Sequence, residues 1–191
     1  MTLKTQDLLL ISMFTSLMAV GAFIRIETPL VPITLQFAFC AYAGVILGAK
    51  KAMTSQMLYL IIGLIGFPVF TRGGGPFYVF EPTFGYLVGF VIAAYVIGKL
   101  TERLDAFNTR KAIIKLTFAI TAGLVIVYIT GMLYLMLIMN TVLETPMRLY
   151  GAFAAGVLPF IAADVIVAVV VVVSAMKIVP VLRGYHLAEK Y

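Results

Sequence analysis

Pro159-Phe-Ile-Ala-Ala-Asp164-Val-Ile-Val-Ala-Val-Val-Val-Val-Val-Ser-Ala-Met-Lys177-Ile-Val179 holds twenty-one residues with one carboxylate and no break until its end. A run of this length and apolarity reads as a helix crossing a lipid bilayer, for which about 20 residues suffice. It does not stand alone. Five further apolar segments, Leu8–Ile24, Ile33–Leu47, Met53–Phe70, Thr83–Leu100 and Ala112–Asn140, qualify as spans on the same grounds. The second is short and the fifth is long, which tilt or extension beyond the lipid accommodates. Whole-chain composition agrees: 63% of the 191 residues are apolar and 12% charged, with a mean hydropathy of +1.10. Soluble domains run nearer ~25% charged, and a water-soluble fold of this size has too little interior to hide the excess. The expected fold is an all-α membrane protein, a single domain over 1–191 built as a bundle of six transmembrane helices.

Basic residues set the orientation. With six spans, Lys4, Lys50, Lys51, Lys99, Arg103, Arg110, Lys111, Lys115, Lys177, Arg183 and Lys190 fall on one side, leaving Arg25, Arg72 and Arg148 on the other. Eleven against three places both termini in the cytoplasm; five or seven spans scatter the basic loops across both faces. The net charge of +6 therefore reads as membrane topology, with no nucleic-acid partner expected. The first segment lacks a cleavage site of signal-peptide type and reads as a retained helix.

Several chemistries are disfavoured. The one histidine, His186, lies in a polar tail and the one cysteine, Cys40, in an apolar run, so neither an internal disulfide nor a metal site is expected. Gly44-Val-Ile-Leu-Gly48-Ala-Lys50 lacks the spacing and the following hydroxyl of a nucleotide-binding loop. No span carries the several ionisable groups of a proton relay, and no serine–histidine pair suits an intramembrane protease.

The polar groups that remain gather in the outer half. Asp164 is the one carboxylate inside an apolar run, about 8 Å below the outer helix end at 1.5 Å per residue, and must turn inward toward a partner. Its expected role is to accept hydrogen bonds from a ligand N–H, the alternative being a structural pair with another helix. Gln36 and Thr34, in Pro29-Leu-Val-Pro-Ile-Thr-Leu-Gln36, stand at the outer start of the second span. Tyr86 and Asn140 lie at the outer ends of the fourth and fifth. The connection Gly66-Phe-Pro-Val-Phe-Thr-Arg-Gly-Gly-Gly-Pro-Phe-Tyr-Val-Phe-Glu-Pro82 is too rich in glycine and proline for a regular helix and too apolar for a solvated linker. It is expected to fold over the site as a lid or to sit in the interface as an aromatic belt. Arg72, beside Gly73 and Gly74, suits an anion through its guanidinium and the glycine amides, unless Glu81 neutralises it. On the first span, Ser12 and Ser16 form a pair of small residues four apart, with Thr15 and Ala19 in the neighbouring phase. Such spacing lets another helix approach closely, and docking of another subunit is the sharper expectation. Gly44 and Gly48 repeat the spacing on the second span.

Taken together, Pro29–Gln36, Gly66-Phe-Pro-Val-Phe70 and Pro82-Thr-Phe-Gly-Tyr-Leu-Val-Gly-Phe90 resemble the BioY family. These are the biotin-specific substrate-binding (S) subunits of energy-coupling-factor transporters. The resemblance covers nearly the whole chain, Asp164 included. It implies capture of biotin on the outer side of a prokaryotic cell membrane, no catalysis and no cofactor, with biotin as the transported ligand. The partners it implies are a transmembrane coupling (T) subunit and two ATPase subunits, with docking through small residues on the first span. With biotin as the ligand, Asp164 is expected to accept from the ureido N–H groups, Gln36 or Asn140 to donate to the ureido oxygen, and Arg72 to meet the acidic tail if any cation does. Two positions depart from the family pattern: Phe84 stands where Pro-Thr-Gly-Gly-Tyr has glycine, and Val167 where a lysine is often found. The competing expectations are an S-type subunit for another small vitamin-like ligand, an intramembrane enzyme, or an assembly protein without a ligand.

Overall fold

The structure, a computed structural model, describes residues 4–102, 104 and 109–184, with 183 and 184 as backbone only; Arg103, His186 and Lys190 lie outside the described residues. Long apolar runs satisfy their backbone groups internally by coiling. They do so here as α1 (Thr5–Phe23), α2 (Gln36–Ile65), α3 (Phe84–Thr101), α4 (Arg110–Thr141) and α6 (Leu158–Gly184). These five are long and apolar enough to cross a membrane. A short helix, α5 (Leu149–Gly156), precedes α6, and a two-residue hairpin of β1 (Arg25–Ile26) and β2 (Ile33–Thr34) follows α1, paired Arg25 to Thr34 and Ile26 to Ile33.

The second and third expected spans are the two limbs of α2, which part at Gly48, whose φ of 75° and ψ of 172° are not helical. That conformation is essentially confined to glycine. Its effect is a reversal. Gln36 and Tyr59 would stand about 34 Å apart on a straight helix, yet the Gln36 Nε2 donates to the Tyr59 hydroxyl at 3.0 Å. The limbs 36–47 and 49–65 therefore run side by side. Gly48 does not serve as a simple packing glycine, the role its spacing from Gly44 suggests. Gly44 does take that role, within the chain: a Cβ there would press on Ile97 and Ala94 of α3.

α3 lies at the centre of the bundle between α2 and α4. Glycines on both its faces make this possible, since a Cβ at Gly98 would strike the Gly48–Ala49 backbone, and one at Gly85 or Gly89 would strike α4. Small residues are how helices approach when lipid offers no hydrophobic drive. The outward faces are apolar instead, with Val165, Ile166, Val169, Val170 and Val173 on α6 and Phe118, Val125, Ile129, Leu133 and Leu137 on α4 all exposed.

The bundle has two unlike ends. At one, Lys51 pairs with Asp7 at 2.9 Å, Lys99 with Glu102 at 2.7 Å, and the Lys115 Nζ donates to the Glu102 carbonyl at 2.8 Å. At the other, the Leu35 amide donates to Gly21 and Ile24 carbonyls, tying the hairpin and the start of α2 to the end of α1. Boundaries differ from expectation in places. The second span begins at Gln36 because Ile33–Thr34 are paired as strand, Phe70 falls in the following loop, and α6 continues through Pro180. The loop after α2 holds no α-helix, as its glycines and prolines require, only a 3₁₀ turn over Pro76–Phe80.

Gly48→Val is expected to lower stability by about 1–3 kcal/mol, the cost of forcing a branched residue into this region, read as an earlier thermal midpoint in detergent. An unchanged midpoint would show that the limbs do not depend on this reversal.

Candidate functional site

At the end away from the lysines, four helices and two loops leave a narrow cleft. A concave, mostly apolar lining with a few polar groups is the usual form of small-molecule sites. Gln36 and Phe37 of α2, Tyr86, Leu87 and Phe90 of α3, Leu124, Val127 and Tyr128 of α4, and Phe160 and Asp164 of α6 form its walls. Val31, Pro32 and Thr34 enter from the hairpin loop, Thr71 and Thr83 from the loop between α2 and α3. The lining is thus chiefly aromatic and aliphatic.

Asp164 is 7% exposed, because the faces of α6 away from the bundle are occupied by valine and isoleucine. The Tyr128 hydroxyl donates to its Oδ2 at 2.6 Å. The other oxygen, Oδ1, is left to accept within the cleft. Gln36 is 2% exposed. Its amide nitrogen donates to Tyr59, the Tyr59 hydroxyl donates to the Val69 carbonyl at 3.0 Å, and the Thr34 hydroxyl donates to its Oε1 at 3.2 Å. A second chain, Thr71 Oγ1 to Tyr78 hydroxyl to Thr83 Oγ1 with both steps 3.0 Å, brings two threonines to the cleft edge. Tyr86 donates its hydroxyl to the Gly156 carbonyl at 2.7 Å and so offers the cleft its ring.

The structure brings together Thr34, Gln36, Tyr86 and Asp164, and leaves the other expected residues elsewhere. Arg72 is outside the cleft: its Nη2 donates to the Leu30 carbonyl at 3.2 Å, and its Nη1 lies 3.4 Å from Glu81 Oε2. Gly73 and Gly74 do not form an anion nest there. The Gly73 amide donates to the Phe70 carbonyl at 3.2 Å, closing a turn that its φ of 109° permits, and Gly74 is packed so tightly that a Cβ would strike the Phe67 carbonyl. Asn140 also stands apart. Its amide donates to Met136 and Met147 carbonyls and accepts from the Met147 N–H, all within 2.9 Å, pinning the 142–147 connection to the end of α4. On α1, Thr15 is buried and donates to the Ser55 carbonyl of α2 at 3.0 Å, which removes it from any outer docking face. Ser12 and Ser16 are exposed and Ala19 is half-buried.

Tyr128, Thr71 and Thr83 were not expected at the site, nor Tyr59 behind it. Tyr128 lay unmarked in the long apolar run of α4. A signal was present, since a tyrosine far from any helix end must find a hydroxyl partner, and few side chains in the other spans can provide one. Val167, one turn beyond Asp164, faces a separate groove beside Arg25, Ile33 and Ala163.

A model of the BioY family matches residues 1–184. The chain is 41% identical over 181 residues to a probable biotin transporter BioY of Lysinibacillus sphaericus, covering 95% of this chain and 90% of that one. It is 33% identical over 174 residues to the biotin transporter BioY of Thermotoga maritima, covering 91% and 95%. In fold it is similar to the crystal structure of an S-component for biotin from an ECF-type ABC transporter, with a TM-score of 0.78 and 24% identity over 92% of this chain and 94% of that one.

Tyr59→Phe is expected to strip a partner from both the Gln36 amide and the Val69 carbonyl and to cost about 1–3 kcal/mol. Thermal unfolding without ligand checks this against Tyr150→Phe, at a position 78% exposed, which should leave the midpoint unchanged.

Proposed function

The chain belongs to the BioY family, and on that premise we propose that it captures biotin at the outer face of a prokaryotic cell membrane, as the S component of an energy-coupling-factor transporter. It is a multi-pass membrane protein. Six segments cross the bilayer: α1, the two limbs of α2, α3, α4 and α6. The termini are cytoplasmic, so the lysine-bearing end faces inward and the cleft faces outward. What supports this arrangement is the side-by-side course of the α2 limbs together with the excess of basic residues at one end.

One observation carries the assignment of ligand chemistry: a carboxylate at the cleft wall with one oxygen engaged by Tyr128 and one unengaged. Asp164 accepts a ureido N–H of biotin. Gln36 and Thr34 supply the neighbouring polar contacts, and Phe37, Tyr86, Phe90 and Phe160 enclose the fused rings. Hydrogen bonds to a charged group contribute about 1.5–3 kcal/mol each. The irregular loops above the cleft close over the bound ligand. No chemical step is performed. Energy comes from a coupling subunit and two ATPase subunits, which the exposed face of α1 with Ser12, Ser16 and Ala19 meets.

Two outcomes test this. Purified protein retains labelled biotin, and Asp164→Asn weakens retention by about 10–100-fold, as loss of one charge-assisted bond predicts; Gln36→Ala weakens it less. Equal retention by wild type and both variants would remove the assigned site. For topology, a membrane-impermeant thiol reagent applied outside intact cells should label Phe77→Cys and spare Lys50→Cys, both positions being exposed and the native Cys40 buried. The reverse pattern would invert the protein.

A further inference from the structure

The cleft has a charge of one sign. Asp164 is its only charged lining residue, and among the described residues no lysine or arginine lines it. Two arginines stand near its mouth, and each is already engaged twice. The Arg25 guanidinium donates to the Thr71 carbonyl and pairs through Nε with Glu27 at 2.5 Å. Arg72 donates to the Leu30 carbonyl and faces Glu81. The remaining polar groups on the loop side of the cleft are neutral hydroxyls, Thr34, Thr71 and Thr83. A hydroxyl can donate to an amide or ester carbonyl as well as to a carboxylate, the neutral bond being the weaker by about 1 kcal/mol. A ligand carrying its own carboxylate would set a second negative charge in the same apolar enclosure as Asp164, where little solvent screens the repulsion.

From this we infer that the site reads the hydrogen-bonding head of its ligand and not the charge of its tail, so that its substrate class extends to biotin derivatives whose carboxyl is a neutral amide or ester. The head lies against Asp164 and Tyr128, and the tail runs toward Val31, Pro32 and Thr71 and leaves at the mouth. Removing the tail charge breaks no ion pair within the cleft. Short biotinyl amides, including biotin joined to the side-chain amine of lysine, belong to the class, the substituent emerging at the mouth of the cleft.

Resting as it does on biotin as the ligand and Asp164 as its partner, this inference is tested on purified full-length protein by competition against labelled biotin. Unlabelled biotin, biotinamide and biotin methyl ester are compared. Both neutral compounds are expected to compete within about tenfold of biotin, a difference under ~1.4 kcal/mol. Neutral compounds weaker than biotin by more than tenfold would overturn the inference. Arg25→Ala and Arg72→Ala are each expected to leave the ratio of biotin to biotinamide affinity within about threefold of wild type. A variant that lost biotin tenfold while keeping biotinamide would show that an arginine reads the tail, and would also overturn it. Failure of wild-type protein to retain labelled biotin at all would instead sink the biotin assignment itself.

Discussion

A carboxylate within a helix whose other faces meet lipid has to be turned inward and given a partner, because the hydrocarbon offers it neither water nor counter-charge. In this chain that requirement falls on Asp164, and the Tyr128 hydroxyl meets it at 2.6 Å. The pair draws α4 and α6 together near the cleft end of the bundle and leaves one carboxylate oxygen toward the cleft. Much else serves to hold the opposite wall in place. The glycine faces of α3 let α2 and α4 approach from either side, and the reversal at Gly48 returns Tyr59 to the level of Gln36. A buried amide so held has one orientation, which is what a site needs if it is to discriminate among small polar ligands.

The roof is built with equal economy. Arg25, in the hairpin after α1, donates to the Thr71 carbonyl of the loop after α2, while Arg72, next to Thr71, donates back to the Leu30 carbonyl of the hairpin loop. Each guanidinium keeps an acidic companion, Glu27 or Glu81. Two irregular segments are thereby strapped to each other as well as to the helices, and the cleft edge they supply through Thr34 and Thr71 behaves as one piece. Beneath the straps, Tyr59 meets Phe70 edge to face and Phe70 packs at a tilt on Tyr78, so the loop has an apolar underside seated on the second limb of α2.

How much of this could be read from residues alone depends on what each signal measures. Apolar runs report burial in lipid directly, and all five long helices follow from them. A reversal between the second and third spans was legible from the break after Leu47 and from Lys50 and Lys51; that Gly48 makes it was hidden, because a glycine four residues after another reads equally as helix packing and only its backbone angles separate the two. The eight residues of α5 lay in a connection too short and mixed to show a period. At the site, Asp164, Gln36, Thr34 and Tyr86 stood out because polarity inside an apolar run is costly and so needs a reason. Arg72, Gly73, Gly74 and Asn140 stand outside the cleft, where Arg72 bridges two loops, Gly73 closes a turn, Gly74 allows a close approach to Phe67 and Asn140 ties down the end of α4, and nothing in spacing distinguishes an amide aimed at a ligand from one aimed at its own backbone. Tyr128 passed unnoticed because tyrosine counts as apolar until its hydroxyl partner is known.

The central claim is that Asp164 and Gln36 grip one visitor in a common hollow. An experimental structure of the biotin-bound protein measures this most directly. The account requires the ureido head within hydrogen-bond distance of the Asp164 carboxylate, its rings among Phe37, Tyr86 and Phe160, and its tail toward the two outer loops. Biotin found elsewhere, with Asp164 still facing only Tyr128, would contradict it.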